Sequence, residues 1–164
     1  MKLSPASPMQ MLLDTLPQQG TVTWIGVRPV RKAHVLSVKR VQALAQQGLA
    51  GDHYAAKPGS KRQVTLIQQE HIEAMTFMLH RTDLSPELLR RNIVVRSINL
   101  LALKDRTFWV GDALLQYTGL CHPCSRMEEN LGPGGYNAVR GHGGITAMIL
   151  EGGEIAIGDI LRPV

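Results

Sequence analysis

The residues best suited to chemistry are the two cysteines, Cys121 and Cys124, which share one Cys-x-x-Cys spacing within residues 118–126. Pro123 fixes its own φ and biases the residue before it away from the helical region, so a short helix is predicted to begin near Cys124. Free N–H groups at a helix start, together with the charge of Arg126, favour a thiolate. A thiolate is a soft ligand and a nucleophile, so the segment indicates a sulfur-ligated metal, sulfur transfer or a buried structural pair.

Three other uses of this cysteine pair are disfavoured. Zinc takes about four ligands, and here Cys121, Cys124 and His122 supply at most three. Thioredoxin-like redox chemistry needs the cysteines at a helix start within a strand–helix–strand unit, and the flanking sequence lacks that pattern. The N-terminal residues do not form a secretory signal, so an oxidising compartment and a structural disulfide are not expected.

A second segment combines glycines with cations. Residues 48–53 read Gly-Leu-Ala-Gly-Asp-His and carry Asp52 and His53, and the stretch Lys-Pro-Gly-Ser-Lys-Arg that follows closely ends on Lys61 and Arg62. Glycine permits unusual backbone angles and cations attract anions, so this loop is predicted to cradle an anion. The alternative is a solvated turn, and a lone histidine such as His53 is more often structural than catalytic.

A third segment, residues 89–95, places two adjacent arginines and an asparagine directly before an apolar strand. Arginine is the preferred planar partner for phosphate, and asparagine offers both a donor and an acceptor. Arg90, Arg91 and Asn92 are therefore candidates for binding a phosphate. A helix C-terminus capped by cations and asparagine explains the same spacing equally well.

A fourth region consists of two glycine-rich stretches, residues 131–136 and 140–144, which are predicted to be loops. Glycine lets backbone N–H groups approach a ligand closely, so Arg140 and His142 are further candidates for ligand binding. Neither stretch fits a P-loop, because no Gly-Lys-Ser/Thr follows. Mobile loops without a ligand are the alternative.

Composition limits the classes of function that the chain can serve. With 44% hydrophobic and 19% charged residues, the chain is neither disordered nor membrane-spanning, and a cytoplasmic location is expected. Aromatic residues make up only 4%, which disfavours nucleic-acid binding by base stacking. The net charge of +5 is concentrated in residues 28–62, which hold eight basic residues and one acid. Such a segment steers anions or forms a solvated face.

The 164 residues predict a loose N-terminal leader over residues 1–20 and a single domain over residues 21–164. Many short strands, with no regular strand–helix–strand alternation, predict a mainly β, α+β fold. We expect a small barrel of mixed or antiparallel strands with a few short peripheral helices. Strands are predicted at 21–27, 34–41, 62–67, 93–95, 107–110, 113–117, 145–150 and 154–161, and helices at 68–80, from Ser85 onward and at 124–130.

Taken together, these segments resemble the MOSC family, which is named for the C-terminal domain of molybdenum cofactor sulfurase. The resemblance spans residues 21–163 and is closest to the small stand-alone bacterial members. Each motif is short, but their order and spacing in one chain are specific. They are Gly-Leu-Ala-Gly-Asp-His at 48–53, Arg-Arg-Asn-Ile-Val-Val at 90–95, Val-Gly-Asp at 110–112, Thr-Gly-Leu-Cys-His-Pro-Cys at 118–124 and Ile-Gly-Asp at 157–159.

The resemblance implies a β-rich barrel that binds the molybdenum cofactor, a molybdopterin dithiolene bearing a phosphate. Cys124 matches the cysteine that ligates molybdenum in family members that reduce N-hydroxylated compounds. Asp52, His53, Arg90 and Asn92 match other family positions. The predicted cofactor-binding residues are Asp52, Lys61, Arg62, Arg90, Arg91, Asn92, Arg140 and His142.

Three functions follow from these residues. The first is a molybdenum-dependent reductase of small N-hydroxylated compounds, in which a separate reductase supplies electrons and His53 or His142 relays protons. The second is a sulfur carrier, sulfurtransferase or cofactor carrier that uses a persulfide on Cys124, with Cys121 as an extra thiol. A basic nucleic-acid-binding module is disfavoured, no membrane partner is expected, and the sequence leaves a homodimer open.

Overall fold

The computed structural model describes residue 4, residues 7–56 and residues 59–164. Lys57 and Pro58, in the second predicted segment, lie outside the described residues, as do five residues of the predicted leader. Eleven strands are present in the described part of the chain. They are β1 (Gly20–Val27), β2 (Leu36–Val38), β3 (Arg40–Leu44), β4 (Gly48–Leu49), β5 (Val64–Gln68), β6 (Ile93–Arg96), β7 (Thr107–Val110), β8 (Ala113–Leu120), β9 (Ile145–Glu151), β10 (Gly153–Ala156) and β11 (Ile160–Pro163).

Seven of these strands close into a barrel in the order β11-β7-β8-β9-β5-β6-β1, and β1 pairs back with β11. All pairings are antiparallel except that of β5 with β6, in which Leu66 lies opposite Ile93. β2 extends the sheet from the end of β1, and β10, β3 and β4 form a separate small sheet. The prediction of a mixed β-barrel is confirmed.

Short helices surround the barrel. They are α1 (Pro8–Asp14), α2 (Gln69–Met78), α3 (Pro86–Leu89), α4 (Ser125–Leu131) and α5 (Gly135–Val139). α2 and α3 connect β5 to the parallel β6, which is the kind of connection that parallel strands require. α1 lies within the predicted leader, where Arg106 donates a hydrogen bond to the Leu13 carbonyl at 2.6 Å. None of the described helices is long and apolar enough to span a bilayer.

The strands β5 and β6 are buried on both faces. Leu66, Ile93 and Val95 point into the barrel core, whereas Ile67 and Val94 belong to a second apolar cluster outside it. That second cluster also contains residues of the helices, so α2, α4 and α5 cover the outer face of these strands. Burial on both faces explains why adjacent residues of these strands, such as Leu66 and Ile67, are both apolar.

Two predicted strands are each divided in the structure. The stretch 34–41 forms β2 and the start of β3, because the chain leaves β1 and pairs with β10 from Arg40 onward. The stretch 154–161 is interrupted by a turn in which the Asp159 carboxylate accepts the Ala156 N–H at 2.7 Å and Gly158 has a φ of 95°. Both predictions of a single strand were wrong because the apolar pattern continues across a change of sheet partner.

The prediction of a loop over residues 131–136 was wrong at its end, where α5 begins. The Glu128 carboxylate accepts the N–H groups of Gly134 and Tyr136, each at 2.8 Å, and so satisfies donors at the start of α5. These two hydrogen bonds lower the pKa of Glu128. A Cβ on Gly135 would lie 2.6 Å from the Met127 carbonyl oxygen, so the glycine permits α5 to pack closely on α4.

Candidate functional site

A cavity of about 1010 Å³ opens at the end of the barrel where β1 and β8 end and β5 and β6 begin. Its described lining contains cationic side chains and no Asp or Glu, and it also includes both cysteines. A cavity lined by one sign of charge concentrates ions of the opposite sign. The cations are Arg28, Arg31, Lys32, Arg62, Arg90, Arg91 and Arg126.

Beneath the cavity, Asp52 joins two of its walls. Its side chain is buried, and Oδ1 accepts the backbone N–H of Arg28 at 2.8 Å and the Nδ2 of Asn92 at 3.4 Å. The Nε of Arg28 lies 3.9 Å from the same oxygen. Asp52 therefore positions the end of β1 and partly neutralises Arg28, and it does not line the cavity.

The side-chain amide of Asn92 is occupied by contacts within the protein. Oδ1 accepts the N–H and the hydroxyl of Thr65, both at 3.1 Å, and Nδ2 donates to the Gly26 carbonyl at 3.1 Å as well as to Asp52. An asparagine amide has two N–H donors and two lone pairs, so these contacts use all of them. Asn92 lines the cavity but acts as a positioning residue that ties β1, β5 and β6 together.

Arg91 is buried and binds three carbonyl groups. Nε donates to Gly143 at 2.8 Å, Nη1 to Leu89 at 2.7 Å and Nη2 to Cys121 at 3.4 Å. Burial is the main cause that lowers the pKa of Arg91. The guanidinium therefore holds the loop that carries Cys121 against the residues that immediately precede β9.

Arg90 adopts a left-handed conformation, with φ of 57°, at the C-terminus of α3. Its Nη1 donates to the Ala33 carbonyl at 3.2 Å and so fixes the turn between β1 and β2. Burial lowers the pKa of Arg90, and the positive charges of Arg28 and Arg126 lower it further. Arg90 thus lies among other cations in the cavity.

The two cysteines differ in access. Cys124 is exposed and immediately precedes α4, as the proline spacing predicted. Cys121 is buried, donates its N–H to the Gly144 carbonyl at 2.9 Å, and has the Nη2 of Arg62 at 3.8 Å from its Sγ. Cys124 is therefore the thiol that a ligand in the cavity can reach. Among the described residues, no group of three or more His, Cys, Asp or Glu is arranged to hold a metal ion.

His53 and Tyr54 form part of the cavity wall next to Arg28. A 3-10 helix, His53–Ala56, follows β4, and the backbone N–H of His53 donates to the Arg28 carbonyl at 2.8 Å. The rings of His53 and Tyr54 lie 4.3 Å apart, and the Arg28 guanidinium lies 5.4 Å from the Tyr54 ring centre. The second predicted segment thus contributes an imidazole and a phenol to the site.

Comparison with known proteins identifies the family. A family model described as the MOSC domain matches residues 50–162. The chain belongs to the MOSC family. Since the match covers most of the chain, the resemblance inferred from the motifs is confirmed.

Three solved structures share this MOSC fold at low sequence identity. The YuaD protein from Bacillus subtilis is 16% identical with a TM-score of 0.75, and the alignment covers 87% of this chain and 94% of that one. YiiM from Escherichia coli is 15% identical with a TM-score of 0.67 and coverages of 88% and 69%. YiiM from Geobacillus stearothermophilus is 18% identical with a TM-score of 0.67 and coverages of 88% and 75%. A search of curated proteins found no match.

Several predicted site residues of this MOSC domain lie outside the cavity lining. Besides Asp52, these are Lys61, Arg140 and His142. Lys61 and Arg140 are exposed, and Arg140 contacts Asn137 at 3.3 Å. Tyr54, Gln63 and Thr65 also line the cavity and were not predicted from the sequence, whereas Arg28, Arg31 and Lys32 were predicted only as part of a basic segment. The sequence signal for Arg28, Arg31 and Lys32 was the excess of positive charge in residues 28–62.

His142 instead packs against His71 of α2 in the MOSC domain, with ring centres 4.9 Å apart in an edge-on arrangement. The Nδ1 atoms of both rings are buried and have no hydrogen-bond partner in the described structure. Burial lowers the pKa of His71, the nearby His142 lowers it further, and Glu70 opposes the shift. A protonated His71 is therefore disfavoured in the folded state.

Protonation of His71 should link the stability of this MOSC domain to pH. Because the pKa of His71 in the folded state lies below the ordinary histidine value of 6.5, the unfolded chain binds the proton first, and stability falls as the pH drops below about 6.5. We expect His71→Gln to lose less stability than the wild type between pH 7.5 and pH 5.5 in urea unfolding. The exposed His34→Gln is the matched control, and an unchanged pH dependence in His71→Gln would contradict the prediction.

Proposed function

We propose that this MOSC protein binds the molybdenum cofactor in the cationic cavity and reduces small N-hydroxylated compounds, with Cys124 as its metal ligand. The observation that carries the proposal is the exposed thiol of Cys124 in a cavity of about 1010 Å³, where the described residues contribute seven cations to the lining. A thiolate is a soft ligand, and arginine and lysine bind phosphate. The group that the family implies is an anion that combines a sulfur-ligated metal with a phosphate.

The chain's own residues fit such a group. Arg62 and Arg90 lie in the same cavity as Cys124 and are oriented by contacts with Cys121 and Ala33. Arg126 adds a third cation within the first turn of the helix that follows Cys124. These three side chains would hold the phosphate. The cofactor, when bound, supplies a two-electron redox centre.

Proton delivery is assigned to His53, which lines the cavity. Reduction of an N–OH group releases its oxygen as water, so a proton must reach that oxygen. An imidazole exchanges a proton near neutral pH. The described lining contains no carboxylate to take this role, and its other imidazole, His122, lies between the two cysteines in sequence, whereas His142 packs against His71 outside the lining. In this proposal the electrons come from a separate reductase.

Sulfur transfer is the second candidate, and the presence of both thiols in one cavity favours it. In this function Cys124 carries a persulfide, and its exposed position allows a partner to collect the sulfur. The cations then bind an anionic acceptor. This candidate needs no molybdenum, which separates it from the first.

Metal content tests the proposal directly. The wild type, Cys124→Ala and Cys121→Ala would be expressed in a host with an intact molybdenum-cofactor pathway, and molybdenum would be counted by mass spectrometry. We expect near-stoichiometric molybdenum in the wild type and in Cys121→Ala, and at least about a tenfold loss in Cys124→Ala, because a thiolate ligand is removed. Reduction of benzamidoxime by a chemical electron donor should follow the metal content.

Two outcomes would overturn this assignment. Molybdenum retained in Cys124→Ala would exclude Cys124 as the required ligand. A folded wild type that has no molybdenum but carries a cyanide-labile sulfur would replace the reductase with the sulfur carrier. Cys121→Ala serves as the matched control, because it removes a thiol from the same cavity without removing the exposed one.

A further inference from the structure

We propose that the substrate of this site carries its own anionic group, a phosphate or a carboxylate, which Arg31 and Lys32 bind at the rim of the cavity. The N-hydroxyl group of the same molecule would then face Cys124. This inference rests on the proposed function and specifies the class of substrate.

The cavity holds more positive charge than one cofactor phosphate requires. Arg91 is held by three backbone carbonyls, and Arg28 is paired with Asp52. The other five cations have no carboxylate within 4.0 Å in the described part of the chain. Uncompensated charges of one sign destabilise a folded protein by mutual repulsion. Their presence around one cavity therefore indicates more than one anion.

The five unpaired cations fall into two groups. Arg62, Arg90 and Arg126 come from segments that surround the cysteines. Arg31 and Lys32 are exposed and belong to the turn between β1 and β2, in which the N–H of Ala33 donates to the Val30 carbonyl at 3.2 Å. The rim pair thus sits on a different element from the cations beside the thiols. This separation suits a ligand that spans the distance between the rim and Cys124.

The turn that carries the rim pair is fixed from both sides. Arg90 donates to the Ala33 carbonyl at 3.2 Å, and the backbone N–H of Arg28 donates to the Asp52 carboxylate at 2.8 Å. Lys32 itself has a left-handed φ of 67°. Cations on a backbone that is already ordered lose less freedom when they bind an anion. The rim pair is therefore a better anion site than two mobile surface side chains.

The size of the cavity agrees with a second ligand beside the cofactor. Pockets for drug-sized ligands have volumes of roughly 300–1,000 Å³, so about 1010 Å³ leaves room for a small substrate beside a cofactor. An adjacent arginine and lysine bind phosphate or carboxylate oxygens.

Substrate pairs test the proposal. The molybdenum-loaded protein would be assayed with benzamidoxime, 4-carboxybenzamidoxime and a benzamidoxime with a para phosphate ester. Each exposed ion pair changes binding by a few-fold, so we expect kcat/KM to be about tenfold higher for at least one anionic substrate than for the neutral one. The larger of the two ratios identifies the anion. In the double variant Arg31→Ala/Lys32→Ala the ratio should fall to about one, through KM.

A matched control and a binding measurement separate this inference from the proposed function. Lys39→Ala removes an exposed lysine outside the cavity lining and should keep the anionic preference. Binding of 4-carbamoylbenzoate and of 4-carbamoylphenyl phosphate, each compared with benzamide by calorimetry, needs no turnover. Wild-type protein should bind one of the anions about tenfold more tightly, and the double variant should lose that preference.

The outcomes are distinct. Turnover of N-hydroxylated substrates with the same anionic-to-neutral ratio in wild type and double variant would overturn the rim site and leave the reductase standing. A binding preference lost in the double variant, without turnover of any N-hydroxylated compound, would support the rim site and overturn the reductase. Equal binding of benzamide and of both anions by the wild type would overturn the rim site regardless of turnover.

Discussion

Gly144→Ala is expected to prevent the barrel from folding. Gly144 precedes β9 with φ of 84°, and an added Cβ would overlap the Leu66 carbonyl oxygen and lie 2.9 Å from the Ile67 Cα. β5 cannot move aside, because Leu66 is paired with β6 on one side and with β9 on the other. We expect a loss of more than about 4 kcal/mol in the free energy of unfolding, or no soluble protein. Soluble yield, circular dichroism and urea unfolding measure this.

Gly141→Ala is the matched control for this substitution. Gly141 has a similar φ of 78°, but a Cβ there would meet nothing within 4 Å. An alanine there is then destabilised only by the left-handed backbone conformation, which costs about 1–2 kcal/mol. The variant should fold and retain the cavity. Equal losses in the two variants would show that backbone strain, and not contact with β5, determines the effect.

Arg91→Met is expected to destabilise the protein by about 2–3 kcal/mol and to expose Cys121. The substitution removes three hydrogen bonds and leaves the carbonyls of Leu89, Cys121 and Gly143 without that donor, which costs about 1–3 kcal/mol for each group that stays buried. Methionine also removes the cost of burying a charge, so the net loss is smaller than the sum. The loop between β8 and α4 should then open.

Urea unfolding and thiol titration measure these two effects of Arg91→Met. In the wild type a chromogenic disulfide reagent should label the exposed Cys124 quickly and the buried Cys121 slowly. In Arg91→Met both thiols should react quickly. Arg140→Met removes an exposed arginine and should leave both rates and the stability near wild type. Continued protection of Cys121 in Arg91→Met would contradict the role of the guanidinium.

The fold class could be predicted from the sequence because its strands have a simple physical signature. β5 and β6 have adjacent apolar residues that are buried on both faces, and the hairpin of β7 and β8 turns at Gly111 and Asp112. α5 could not be predicted, because its start depends on the Glu128 carboxylate, six residues before Gly134. Local composition indicated a loop there, and hydrogen bonds from a side chain of the preceding helix outweighed it.

The candidate site was only partly predictable, because residue type does not fix the direction of a side chain. Arg90 and Arg140 each lie next to a short helix, yet Arg90 lines the cavity and Arg140 does not. Asn92 was predicted to bind the cofactor, but its amide is filled by Thr65, Gly26 and Asp52. The sequence cannot show that every donor and acceptor of this amide is used, because the partners come from strands that are distant in sequence and adjacent only in the folded protein.

The pairing of β1 with β11 has a consequence for folding during synthesis. Gly20 lies opposite Leu161, so β1 leaves the ribosome about 140 residues before the partner that closes the barrel, and pairings of such high sequence separation form slowly. Until then β1 has an unpaired edge, which is prone to association with other chains. We expect nascent chains that end before β11 to be sensitive to protease and bound by chaperones.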